Sequence, residues 1–389
     1  YILLKNVETF FISENFNTSQ IDIGEDEIVK ADIKWNENET VNKPVLLSGM
    51  KPIIFEEETE KPIIIEEDMV EGIWYDYIAQ NESTEEGGTS KWANAITLDG
   101  SMWVWIPRFA YKIEWDEQEK VGKVDVVFLE GTSNKNKQGE DVTTLGYKVH
   151  PAFTDGKKNG FNNGEWDKEI TGIWVSKFEA GFAEQKNTAS ENIEVVDTNI
   201  TYITNYKNVF GDVVADETHI TYPVFIGKTY SYNNLSIGEM YDLSKELKTE
   251  GNPYGFDDLV DSHMMKNSEW GAVAYLSHSN YGINTEIRIN NYYNSGYLTG
   301  CGASEANAAA STTCGITYGS ATSYPQSTTG NISGVFDMSG GAWEYVMGHW
   351  SNSLSTPTYE YSGFSTLPTS KYIDIYSDSV FTGDYSTNM

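Results

Sequence analysis

The chain has 389 residues, with 26 Lys+Arg against 58 Asp+Glu, a formal charge of −32, and an aromatic content of 13% that includes 11 Trp and 25 Tyr. That content excludes a disordered tail or a mini-protein, and the length allows one large elaborated domain or two to three smaller ones. The acidity excludes phosphate backbones and anionic membrane surfaces as partners, and no run of about 18 apolar residues marks a membrane segment.

Residues 1–43 alternate short β-like runs, such as Ile2–Leu4 and Thr9–Ile12, with acidic and Asn-rich spacers. They predict a small β-rich segment or the end of a preceding module. The start at Tyr1, without a basic and then apolar leader, reads as a trimmed or processed piece. From Pro44 onward the apolar runs at 44–55 and 62–65 predict strands. Between and after them stand Glu56, Glu57, Glu58 and Glu66, Glu67, Asp68, the only stretches dense enough in carboxylates to attract a divalent cation such as Ca2+. No other cofactor is expected.

Met102–Ile113 is apolar almost throughout and predicts a strand with Pro107 at a bulge. In Ile170–Phe182, alternation places Trp174, Ser176 and Phe178 on one face and Val175, Lys177 and Glu179 on the other. The Asn/Thr/Asp-rich stretch 184–221 predicts an insertion. Ser236 followed by Glu239 is a capping-box pattern, and Met240, Leu243 and Leu247 continue at helical spacing, which predicts a helix from Ser236 to about Lys248. A second apolar stripe, running through Met264, Met265, Trp270, Val273 and Leu276, predicts a helix from Ser262 to about His278. Cys301 and Cys314 bracket a loop of small residues; their spacing matches no zinc or redox signature, and a structural disulfide is expected. Gly330–Tyr345 combines four glycines with Val335, Phe336, Met338, Trp343 and Tyr345, so other elements are expected to bury it.

Three of these stretches, in order, resemble signature elements of the formylglycine-generating-enzyme-like branch of the C-type lectin fold. They are the strand carrying Trp174, Lys177, Phe178 and Glu179, the helix carrying Glu269 and Trp270, and the glycine-rich segment ending in Trp343 and Glu344. The resemblance implies an α+β fold: a C-type-lectin-like domain over 44–389, with two helices on a twisted, mostly antiparallel sheet and long loops. Trp103, Trp174, Trp270 and Trp343 are expected in its core. The terminal Arg-Gly-Gly-Ser-Trp and Gly-Phe-Arg strands of that branch have no counterpart, so a truncated C-terminus or strands from another piece are expected.

The branch holds oxidases, iron-dependent sulfoxide synthases and non-enzymatic ligand-binding proteins of bacteria and phages. The copper-thiolate cysteines of the oxidases would lie after Trp343, where this chain has none. The histidines show no three-ligand pattern, and His263 and His278 are expected to be ordinary helix residues. No other hydrolase or phosphate-loop motif is present. Long loops rich in Tyr, Ser and Asn suit recognition, with Tyr292, Tyr293, Tyr297, Tyr359 and Tyr361 as ligand-binding candidates. The expected function is a non-catalytic ligand-binding or adhesion protein, extracellular, on a bacterial surface or phage particle, with a protein or glycan ligand. The alternatives are a self-assembling fibre or pilus-like subunit and a formylglycine-generating-type oxidase.

Overall fold

The computed structural model describes residues 2–5, 41–57, 61–65, 73–79, 90–118, 121–155, 166–186, 219–232, 235–292, 297–305, 309, 311–319, 324–351, 363–364 and 368–377. Five strands come first: β1 (Ile2–Lys5), β2 (Lys51–Phe55), β3 (Pro62–Ile64), β4 (Asn94–Ile96) and β5 (Met102–Pro107). A long hairpin, β6 (Phe109–Asp116) and β7 (Val121–Phe128), is followed by the short β8 (Lys148–Val149). Then come β9 (Gly172–Ser176), β10 (Gly181–Lys186), β11 (His219–Val224), helix α1 (Ile237–Glu246), β12 (Asp261–Met264) and helix α2 (Asn267–Ser277). The last strands are β13 (Cys301–Gly302), β14 (Ile316–Thr317), β15 (Gly348–Ser351) and β16 (Asp374–Ser377).

The main sheet has seven strands in the order β12-β1-β9-β5-β4-β2-β3, and every pair in it is antiparallel. The β15–β16 pair is parallel. With two α-helices among the described residues, the class is α+β and mostly antiparallel, as expected. No helix among them is long and apolar enough to cross a membrane. Ile2–Lys5 pairs with both β9 and β12, so these four residues share the main sheet with segments beyond position 43.

β5 and β9 are buried on both faces. Trp105 and Trp174 are register partners whose rings lie 5.3 Å apart. The buried indoles of Trp103, Trp105 and Trp174 each donate an N–H, to Thr97 Oγ1, the Asn42 carbonyl and the Val45 carbonyl. Because no indole donor is left unpaired, their burial contributes in full, roughly 4–6 kcal/mol of gross stabilisation each. Pro107 ends β5 instead of bulging within one continuous strand. Arg108 follows it, buried and paired with Glu169 at 2.6 Å, and the chain passes to the separate β6–β7–β8 sheet.

Helix α1 starts where its cap predicts, with the backbone N–H of Glu239 donating to Ser236 Oγ and that of Ser236 donating to Glu239 Oε2. The second helix does not begin at Ser262. Asp261–Met264 is a strand, held by register with β1, so His263 is a strand residue and not a helical one. The helix starts at Asn267, where Glu269 accepts the backbone N–H of Lys266 at 2.8 Å. Around that start is a buried charged network: Glu269 meets Lys266 Nζ at 3.0 Å and His263 Nε2 at 3.3 Å, and Lys266 Nζ lies 3.7 Å from the Trp166 ring centre. Glu269 thus caps the helix and joins it to β12, which is a structural use. β10 and β11 form the base of the expected insertion, whose residues 187–218 lie outside the described ones.

Cys301 and Cys314 are bonded, with their Cα atoms 5.5 Å apart and a sequence separation of 13. Closing a loop of that length removes on the order of 3 kcal/mol of chain entropy from the unfolded state. Reduction is therefore expected to lower the unfolding free energy by about 2–3 kcal/mol in urea titrations. Intact-mass analysis checks the bond itself: two alkyl groups added to unreduced protein would show that it is absent in solution.

Candidate functional site

The segment 330–345 is fastened to the main sheet by Lys177, the residue just after β9. Its ammonium donates to Asn94 Oδ1 at 2.8 Å, the Ile332 carbonyl at 2.6 Å and the Gly334 carbonyl at 2.9 Å. The Phe336 N–H returns a bond to the Lys177 carbonyl, and Phe336 stacks on Phe178 at 5.2 Å. Val335 and Phe336 are fully buried and Met338 nearly so, as the sequence predicts for this segment.

The chain then turns sharply. Asp337, Gly340 and Gly341 all have positive φ, at 58°, 81° and 76°. A Cβ on Gly340 would collide with the backbone of Asn290, and one on Gly341 with Glu179 Oε2, so both positions require glycine. The Asp337 carboxylate accepts the N–H of Gly300 at 2.9 Å and the amide of Asn290 at 3.2 Å, which ties the disulfide-bearing region to this turn.

The turn sends Trp343 outward. Its side chain is 86% exposed, which corrects the expectation of a core indole: Val335, Phe336 and Met338 fill the space below, and the double glycine rotates the following residues away. Trp270 is half-buried at the edge of the main core, whereas Trp103 and Trp174 are fully inside it.

Beneath Trp343 lies a cavity of about 80 Å³, well above the roughly 10–15 Å³ that one water needs. Pro223, Leu235, Met240, Leu243 and Met264 supply apolar wall, and Tyr232 and Ser244 add hydroxyls. Glu179 and Glu344 also line it. Glu179 is 3% exposed, and its carboxyl faces the backbone N–H of Ala342. Glu344 keeps part of its stem accessible, yet its Oε1 is buried and unpartnered.

Burial, together with the neighbouring charges of Glu344 and Asp337, pushes Glu179 well above the ordinary carboxylate range. Burial likewise moves Glu344 up to about 8 and Asp337 up to about 7. Three mutually repelling, buried carboxyls resist ionising together near neutrality.

Of the tyrosines predicted to bind ligand, Tyr292 and Tyr297 are half-buried and do not line this cavity. Tyr292 bridges to Ser311, and the Tyr297 carbonyl accepts the Ser231 N–H. Tyr293, Tyr359 and Tyr361 lie outside the described residues, as do Glu58 and the 66–68 cluster. Among the described residues no three His, Cys, Asp or Glu side chains form a group able to hold a metal ion. The site residues missed in sequence are Tyr232, Leu235, Leu243 and Tyr345, none of which carries a local signal for a site. Glu179 and Glu344 were singled out as motif residues, and the fold brings them together. No protein-family model matches the chain and no curated protein matches it significantly, so its function rests on the chemistry of this site.

Proposed function

We propose that this protein is a non-catalytic ligand-binding or adhesion protein of a bacterial surface or phage particle, built on a C-type-lectin-like domain of the formylglycine-generating-enzyme-like branch. The observation that carries the reading is Trp343: a large aromatic side chain, 86% exposed, held over a small apolar cavity by a turn that demands two glycines. Folding gains nothing from an indole in water. A bound protein or glycan gains a wide, rigid face at little entropic cost. The antiparallel sheet, the two helices and the three motif stretches support the fold half of the proposal. The disulfide fits an extracellular location.

Substituting Trp343→Ala tests this. Because the side chain is so exposed, stability is expected to change by no more than about 0.5 kcal/mol. Binding to the protein's ligand, found by screening the full chain on a glycan array and on bacterial cells, is expected to fall at least about tenfold, as for an aromatic anchor. A ligand held equally well by the variant would remove the site from the function, and stoichiometric turnover of any bound compound would overturn the non-catalytic reading.

A further inference from the structure

The strand β7 stands at the edge of its sheet, since the order is β7-β6-β8. The Leu129 N–H donates to the Arg108 carbonyl, so in this register Lys123 and Asp125 turn their backbone groups toward β6, while Gly122, Val124 and Val126 turn theirs outward. No strand among the described residues pairs with that outer side. Tyr281 packs on Phe128 at 4.5 Å and bounds one end, which leaves Gly122–Val126 as the open stretch. Such an edge is a template for another strand. We propose that a second copy of this chain occupies it, the two β7 strands pairing antiparallel about a two-fold axis at Val124, with Lys123 of each copy opposite Asp125 of the other. This surface shares no residue with the cavity beneath Trp343, and the inference stands apart from the binding role proposed above.

Charge selects both the occupant and the register. Within the hairpin, Lys112 is the register partner of Asp125 and Glu114 that of Lys123, all four on one face. Pairing centred on Val124 extends these into two rows across both hairpins: Lys112 and Asp125 of one copy, then Lys123 and Glu114 of the other, so the sign alternates at every strand. Centring on Gly122 or Val126 instead leaves Lys123 or Asp125 opposite a valine. Because the backbone of Val124 faces outward, the axis falls on a hydrogen-bonded pair, and the flanking Lys–Asp pairs are of the other kind, whose side chains come closest. Asp125 also accepts the Tyr147 hydroxyl, which holds its carboxylate on that face. On the opposite face Trp115, 49% exposed, lies over Gly122: a Cβ there would stand 3.3 Å from its Cε3. The pairing sets that ring beside Val126 of the other copy. A lone lysine on an edge discourages pairing, and a charge of −32 on each copy opposes association. Here the lysine has its complement two positions away, which turns a deterrent into a match. A two-fold pairing of this kind closes on itself and gives dimers, not fibres.

Sedimentation velocity of the full chain over a concentration series is expected to show a reversible monomer–dimer equilibrium. Lys123→Asp and Asp125→Lys each set like charges opposite one another twice per dimer, so each variant alone is expected to dimerise at least about tenfold more weakly. Mixed one to one, the two variants restore opposite charges at both positions, and the heterodimer is expected to recover the parental strength. Damage to the fold could not be cured by mixing. Val124→Pro removes an outward N–H and leaves the bonds to β6 in place, so it is expected to be monomeric with an unchanged circular dichroism spectrum. It takes the place of the charge variants if either fails to fold. A parent that stays monomeric at every concentration overturns the proposal. So does a Lys123→Asp protein that associates more strongly, the result if Lys123 serves only to shield the edge. Charge variants that mixing does not rescue, or a Val124→Pro protein that still dimerises, overturn it as well.

Discussion

Replacing Lys177 by methionine is expected to lower the unfolding free energy by about 3–5 kcal/mol, the range for removing one partner from a buried charged cluster. Burial pulls the Lys177 pKa well below its ordinary 10.5. Yet three oxygens at 2.6–2.9 Å face Nζ, and only the ammonium form has three donors to match them. Methionine has a similar length and no donor, so the Asn94 side chain and the carbonyls of Ile332 and Gly334 would be left unsatisfied in a dry core. The charge also sits 4.9 Å from the Phe55 ring and 5.2 Å from the Phe336 ring, contacts that a thioether reproduces only in part. Because those carbonyls belong to the segment leading to Trp343, the damage reaches the proposed binding site. Hydrogen exchange at residues 330–345 should accelerate ahead of global unfolding, and ligand binding should weaken with it. Urea titration gives the decisive number: a Lys177→Met protein within 1 kcal/mol of the parent would show that the ammonium is not what holds this segment.

How legible each element was depends on how local its cause is. Ser236 and Glu239 mark the start of the first helix because a capping box is a bargain between residues three apart, and nothing distant intervenes. Met264 and Met265 sit at positions that suit a helix just as well as a strand. What decides between them is β1, more than 250 residues earlier, whose backbone pairs with Asp261–Met264 before the helix can begin. Trp343 and Glu344 announce themselves by composition, and so does Glu179. Nothing in composition says that Gly340 and Gly341 turn the indole into solvent while the two carboxyls meet over a cavity, because that outcome is set by backbone dihedrals and by Asn290 packing against the turn. The tyrosine-rich loops drew attention for their amphipathic side chains, but the cavity is built from Leu235, Met240 and Leu243 at and before helix α1. In the sequence, Met240 and Leu243 look like any apolar helix face.

The same carboxyls set the pH dependence of stability, and the protein is expected to be more stable near pH 5 than at pH 8. A carboxyl whose pKa is raised by folding keeps a proton that the unfolded chain has lost. Its contribution is therefore present in full below its unfolded pKa and is lost as pH rises through the folded one. Asp337 at about 7 and Glu344 at about 8, with Glu179 raised well above its ordinary value, place that loss between pH 5 and 8. Asp99 and Asp374, both raised by burial to about 6, begin it earlier. Asp337 alone, moved by burial from 3.8 to about 7, is worth on the order of 4 kcal/mol across the whole window. His150 acts the other way: burial lowers it to about 3, so the unfolded chain takes up its proton first and stability falls with pH below 6.5. His278, also lowered by burial, acts with His150 below pH 6.5. Lys177, drawn well below 10.5, opposes the carboxyls wherever the folded chain has shed its proton; between 4.5 and 6.5 the raised carboxyls outnumber the two imidazoles. Below about pH 4 their contribution is complete and the imidazole loss continues. Glu269 then adds to that loss. Burial pushes it up, but Lys266 and His263 outweigh burial and hold it below 4.5, so its stabilisation disappears as it protonates. Scanning calorimetry at pH 3.5, 5, 6.5 and 8 should show a maximum Tm near pH 5. The fall toward pH 8 should be shallower in Glu179→Gln and Glu344→Gln. A Tm that climbs through pH 8, or a slope unchanged in both variants, would mean that these carboxyls are ionised or solvated in the folded protein. The cavity beneath Trp343 would then hold no uncompensated charge.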